Sequence, residues 1–115
     1  MLTTDSADTA DRARAAAVAD VIAAGDTAVD LAVALRCLAQ RGVLNVLAEG
    51  GPRVSAQLAA GGLLDELCLT LAPRLVAGSA PRILNGPELG QPAALELRHV
   101  LESDGYLFLR YRRRL

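Results

Sequence analysis

Apolar and polar positions change rhythm several times along this chain, and the sharpest change falls at residues 43–52. Val43, Leu44, Val46, Leu47 and Ala48 form an apolar run broken only by Asn45. Such a run predicts a strand covered on both faces, as in a parallel sheet. Glu49 ends it. Gly50 and Gly51 follow, residues that allow positive φ and leave room for a ligand beside the backbone. Pro52 suits the first helical position, where its missing N–H loses nothing. Val54 and Leu58 then share one helix face, and Gly61-Gly62 marks the stop. A helix start after a glycine turn presents free N–H groups and a positive dipole end, which suits a phosphate. In open α/β sheets, ligands lie at this carboxyl edge of the strands.

The remaining pattern supplies the flanking elements. Residues 1–17 read as a loose amino-terminal segment, with an alanine-rich helical turn or two between Asp8 and Ala17. Val18, Val21 and Ile22 predict a short strand ended by Gly25. Asp30 is placed as an N-cap, Leu31, Leu35 and Leu38 repeat at helical spacing, and Gly42 stops the helix. Leu63–Pro73 is a second strand, apolar on both alternating sides, so helices are expected over both faces. The Gly- and Pro-rich stretch 77–92 is a loop, with Arg82-Ile83-Leu84 as a brief strand inside it. Leu95 and Leu97 alternate and Val100 falls out of phase, which predicts a bulge. Ser103-Asp104-Gly105 is a hairpin turn leading into a last strand, Tyr106–Tyr111. The order is that of an α/β chain, a mixed sheet with helices on its faces and an antiparallel hairpin at its end.

Composition narrows the function. At 115 residues, one domain is the default. A hydrophobic share of 52% argues against disorder. The net charge of −1 gives no electrostatic reason to expect nucleic acid or an anionic membrane. No run reaches membrane-spanning length and the polar amino terminus lacks a signal-peptide core, so a cytoplasmic protein is expected. Cys37 and Cys68 form no CxxC or zinc spacing, and both are expected as buried free thiols.

Among chemistry-bearing residues, Glu49 stands out. A carboxylate at the end of a buried strand can accept hydrogen bonds from a ligand's hydroxyls or amines, or it can form a salt bridge or cap a turn. Gly50-Gly51 matches neither GxGxxG nor a P-loop. Asp65-Glu66 reads as structural, because adjacent strand residues face opposite ways. His99, the one histidine, has no evident nucleophile partner, so no catalytic residue is assigned. The arginines 110 and 112–114 could touch phosphate, but a solvated strand end is the favoured reading.

Resemblance goes further. Val46-Leu47-Ala48-Glu49-Gly50-Gly51-Pro52, Leu63-Leu64-Asp65-Glu66-Leu67, Ala72-Pro73 and Leu107-Phe108-Leu109-Arg110-Tyr111 resemble the carboxyl-terminal reductase domain of bacterial bifunctional riboflavin biosynthesis proteins, the RibD family. The likeness covers residues 18–115 and resembles the second half of that domain. It implies a dihydrofolate-reductase-like, three-layer α/β/α fold with a mixed, mostly parallel sheet. It also implies NADPH-dependent reduction of the ribose of 5-amino-6-(5-phosphoribosylamino)uracil to the ribityl form, with hydride passing to C1′. By that resemblance Glu49 contacts the substrate, and Gly50, Gly51, Pro52, Arg53, Val54, Ser55, Ala56 and Gln57 bind NADPH. A homodimer and a phosphoribosylaminopyrimidine are the implied partners. The alternative is an inactive fragment that acts as a dimerisation or partner-binding module. An exposed strand edge and apolar surface would favour that role.

Overall fold

The computed structural model describes residues 1–114. The chain divides into two compact units, Met1–Ala48 and Glu49–Leu115.

In the first unit, β1 (Leu2–Thr3) pairs in parallel with β2 (Ile22–Ala23), placing Leu2 opposite Ile22 and Thr3 opposite Ala23. α1 (Thr9–Ala16) connects them. α1 forms the helical turns expected between Asp8 and Ala17, whereas β1 falls in the stretch expected to be loose, and two-residue strands are too short to show a periodicity. Asp8 starts α1 by accepting from the Ala10 and Asp11 N–H groups at 2.9 and 3.0 Å. α1 buries no side chain, as its alanine-only face implies. α2 (Leu31–Gln40) begins at Asp30, whose Oδ1 accepts from Ala32 and Val33 N–H at 2.8 and 3.0 Å. The unit's core is Ile22, Ala24 and Ala34, with Val29, Val33, Cys37 and Leu38 packed against it. Burying Ile22 contributes about 2 kcal/mol.

Val43–Ala48 is not a paired strand. The segment is exposed throughout and joins neither sheet. An apolar run that could fill an inner strand still needs neighbours, and none of the described residues supplies one.

In the second unit, α3 (Pro52–Ala60) precedes a three-stranded antiparallel sheet ordered β3 (Glu66–Leu71), β5 (Tyr106–Arg113), β4 (Leu95–Ser103). α3 buries Ala56 and Leu58. The β4–β5 hairpin turns at Asp104 and Gly105, both at positive φ, 51° and 76°, as a tight two-residue hairpin requires. The expected bulge is present, with the register shifting between Leu97 and His99. One sheet face carries Leu67, Leu69, Leu71, Leu97, Val100, Leu107 and Leu109, as the cross-strand registers place them. The other carries Glu66, Cys68, Thr70, Arg110 and Arg112. Cys68 and Thr70 are exposed and Leu67 and Leu69 are half-buried, so the strand is not covered on both faces as expected. Small side chains at 68 and 70 made both sides read as interior. Arg82-Ile83-Leu84 forms no strand, and Ile83 is 55% exposed. Neither thiol is buried: Cys37 is half-buried, Cys68 is exposed, and both are free.

The chain is thus a mixed α/β protein with one parallel and one antiparallel sheet.

Candidate functional site

The site lies at the start of the second unit, where the backbone reaches α3 through two glycines. Gly50 adopts φ +83°, in the region that favours glycine. Gly51 does not: its φ is −73° with ψ −170°, extended backbone open to any residue, and a Cβ built there meets nothing within 4 Å. The Gly50–Gly51 peptide is cis.

Gly51 is the N-cap of α3, and having no side chain it leaves the helix start uncapped. Its carbonyl accepts from Val54 and Ser55 N–H at 3.0 and 3.1 Å. The Gly51 and Arg53 N–H groups have no partner among the described residues. Pro52 contributes no donor but fixes the first helical φ. The first turn carries no acidic residue, and the exposed Arg53 guanidinium adds positive charge to the helix dipole. The result is a solvent-facing group of amides and one cation, with the chemistry to hold an anion.

The residues that resemblance assigns to this site divide by burial. Gly50, Gly51, Arg53, Val54 and Gln57 are exposed, and Pro52 and Ser55 are half-buried. Ala56 is turned inward, 7% exposed. A loop returns over this inward side: Asn85 N–H donates to the Pro52 carbonyl at 3.1 Å. Gly86 sits so close that a Cβ there would lie 2.9 Å from the Ala56 Cβ. Arg53, Ala56, Gln57, Ala60, Asn85, Gly86 and Pro87 line an open, mostly apolar hollow of about 460 Å³, within the size range of small-ligand clefts. Sequence reasoning missed Asn85, Gly86 and Pro87. Their turn chemistry was visible, but nothing local says which helix a turn will meet.

Glu49 directly precedes the glycines and is exposed. It has no hydrogen bond or ion pair among the described residues, so neither the salt bridge nor the cap is present. Its carboxylate is available to a ligand. Glu66 is engaged instead: Arg110 Nε and Nη2 donate to its two carboxylate oxygens at 2.7–2.9 Å, a bidentate pair across β3 and β5. That confirms the structural reading of Glu66 and removes Arg110 from the candidate phosphate ligands. Arg113 donates through Nη1 to the Gly62 carbonyl. His99 lies opposite Arg110 in the sheet. Among the described residues no group of His, Cys, Asp and Glu is placed to hold a metal ion, and no helix is long and apolar enough to cross a membrane.

Comparisons with known proteins converge. The model of the RibD C-terminal domain matches residues 1–108. A Methanothermobacter thermautotrophicus protein named 2,5-diamino-6-ribosylamino-4(3H)-pyrimidinone 5′-phosphate reductase is 36% identical over 66 residues, covering 57% of this chain and 31% of that protein. A pyrimidine reductase-like protein from Corynebacterium diphtheriae superposes with a TM-score of 0.80 at 24% identity, covering 99% of this chain and 49% of its own. Acinetobacter baumannii RibD superposes with a TM-score of 0.66 at 25% identity, covering 80% of this chain and 27% of the other. The chain spans half or less of the length of each of these relatives.

Proposed function

Because the chain belongs to the RibD C-terminal domain family, we propose that it forms the nicotinamide-cofactor part of a reductase acting on a ribosylaminopyrimidine phosphate in riboflavin biosynthesis. The observation that carries this is the uncapped start of α3, with free Gly51 and Arg53 amides beside an unpaired Glu49. Those donors fit the diphosphate of NADPH, and no carboxylate in the first turn opposes it. NADPH held there would be the source of the hydride that reduces the ribosyl C1′, the C1′–O4′ bond opening with proton uptake at the ring oxygen to give the ribityl chain. The chain's own residues orient the reactants. Gly51 and Arg53 amides and the Arg53 guanidinium hold the diphosphate side, the hollow along α3 takes an apolar portion of a ligand, and Glu49 accepts from ribose hydroxyls.

The relative from Methanothermobacter is named for a 2-amino pyrimidinone, whereas the uracil implied by resemblance carries an oxygen at that ring position. Both share the ribosylamino 5′-phosphate, and Glu49 belongs to that shared part. Apolar side chains on one face of the antiparallel sheet support a homodimer: Leu71, Leu97 and Val100 are 46%, 48% and 49% exposed. The site of action is taken as the cytoplasm, where NADPH is available.

The test is NADPH titration of the chain by reduced-nicotinamide fluorescence. It is followed by NADPH oxidation with each of the two pyrimidines, with the chain mixed with the part of the Corynebacterium protein outside the match. Saturable NADPH binding and substrate-dependent oxidation, with a product carrying two additional hydrogens, are expected. Absence of both would falsify the reading.

A further inference from the structure

The loop that returns onto α3 brings a reactive pair of residues to the helix start. Any side chain at position 86 would meet Ala56, because a Cβ there would lie 2.9 Å from the Ala56 Cβ. The packing therefore calls for glycine, and the residue before that glycine is Asn85. Glycine puts no Cβ in the way and sets few limits on φ, so its backbone nitrogen can reach the preceding carboxamide. Both residues are exposed and lie in irregular backbone. Asn85 N–H donates to the Pro52 carbonyl at 3.1 Å, but neither the Asn85 carboxamide nor the Gly86 N–H has a partner among the described residues. Two comparable pairs each lack one of these conditions. Asn45 is also exposed, but Val46 follows it, and a β-branched neighbour hinders the approach. Asp104 precedes Gly105, but the Gly105 N–H donates to Glu102 Oε1 at 2.7 Å, and an ionised carboxylate is a poor electrophile.

We propose that Asn85 is a site of spontaneous deamidation whose product sets a carboxylate against the start of α3. The Gly86 nitrogen, losing its proton, attacks Asn85 Cγ. The new N–C bond closes a succinimide ring as the bond from Cγ to the side-chain nitrogen breaks and ammonia leaves. Water then adds to either imide carbonyl and the C–N bond to that carbonyl breaks, giving aspartate or isoaspartate at position 85. The step is a hydrolysis and needs only water. Either product adds a negative charge to a hollow that Arg53 also lines, and Arg53 has no ion pair among the described residues. The helix dipole and the guanidinium both favour that charge. The carboxylate thereby takes up the attraction that the diphosphate of NADPH would use. This effect on the cofactor rests on the function proposed above, whereas the modification rests on the loop alone.

The experiment ages the whole chain for days in warm, mildly alkaline buffer, beside a free peptide of residues 82–88, and follows both by peptide mapping and mass spectrometry. Position 85 in the chain should gain the mass of O replacing NH at a rate within about tenfold of the free peptide, as an exposed loop allows. Asn45 should keep its mass, and position 104 should show no isoaspartate. Asn85→Gln should stay unmodified, because its longer side chain does not close the same ring. Asn85→Asp reproduces the charge without ageing. It should melt above the parent at low salt and with the parent at high salt, and it should bind NADPH about two- to fivefold more weakly. An Asn85 that survives in the chain after the free peptide has reacted overturns the modification, as does faster change at Asn45 or Asp104. An Asn85→Asp chain that melts like the parent at low salt overturns the placement of the charge. Deamidation and the melting shift in a chain whose NADPH binding is absent, or indifferent to the added charge, sink the proposed cofactor site and leave this one standing.

Discussion

Gly50 and Gly51 are neighbours with different demands. At Gly50 the backbone itself, at φ +83°, resists a side chain. Gly50→Val should strain the turn by about 1–2 kcal/mol and weaken NADPH binding tenfold or more in fluorescence titration. At Gly51 neither conformation nor packing excludes a side chain, so Gly51→Ala should lower stability by about 1 kcal/mol or less. It should nevertheless reduce NADPH affinity, because its Cβ occupies the space a diphosphate needs beside the free amides. A Gly51→Ala protein that binds NADPH like the parent places the anion elsewhere. Glu49 separates substrate from cofactor. Its negative charge does not attract phosphate, so Glu49→Gln should impair turnover and leave NADPH affinity within a few-fold. The opposite pattern, cofactor lost and substrate kept, reverses the assignment.

The elements show which interactions are local. Arg110 and Glu66 join β3 to β5 through a bidentate contact, but their side chains remain 49% and 39% exposed. Solvent screening limits such a pair to about 1 kcal/mol or less. Arg110→Ala should therefore lower thermal stability slightly, with most of the loss removed at high salt, and leave NADPH affinity unchanged. A large effect on NADPH would return Arg110 to the binding site. The same distinction explains what the sequence made legible. The Asp30 cap, the Asp104-Gly105 turn, the bulge after Leu97 and the Pro52 helix start each depend on residues within a few positions, and all four are present. Val43–Ala48 was misread because strand pairing depends on distant partners, which no pattern within the run can supply. The parallel pairing of β1 and β2 escaped for the opposite reason: two residues carry too little alternation to see. At the site, Glu49 and the glycine turn were legible, while the return of Asn85–Pro87 onto α3 was a tertiary event.

For the whole molecule, two expectations concern mass and rate. The half-exposed Leu71, Leu97 and Val100 should bring two chains together, so light scattering should give twice the 12.0 kDa of one chain. A persistent monomer would remove the homodimer. Reduction requires cofactor and substrate within about 3–3.5 Å of each other. One helix start, one hollow and one carboxylate do not hold two ligands so closely. The chain alone should therefore turn over well below about 1 s⁻¹, and ordinary turnover by the chain alone would show these groups to be sufficient. The second unit also contains a seam. Between Leu71 and Leu95 the chain runs without helix or strand, almost wholly exposed and anchored to α3 by the Asn85–Pro52 bond. Arg74 and Arg82 lie in it, so trypsin should nick there first and leave the sheet assembled from two pieces. The same stretch is the natural place to open new termini or to splice in a reporter, because a break there severs no β-ladder.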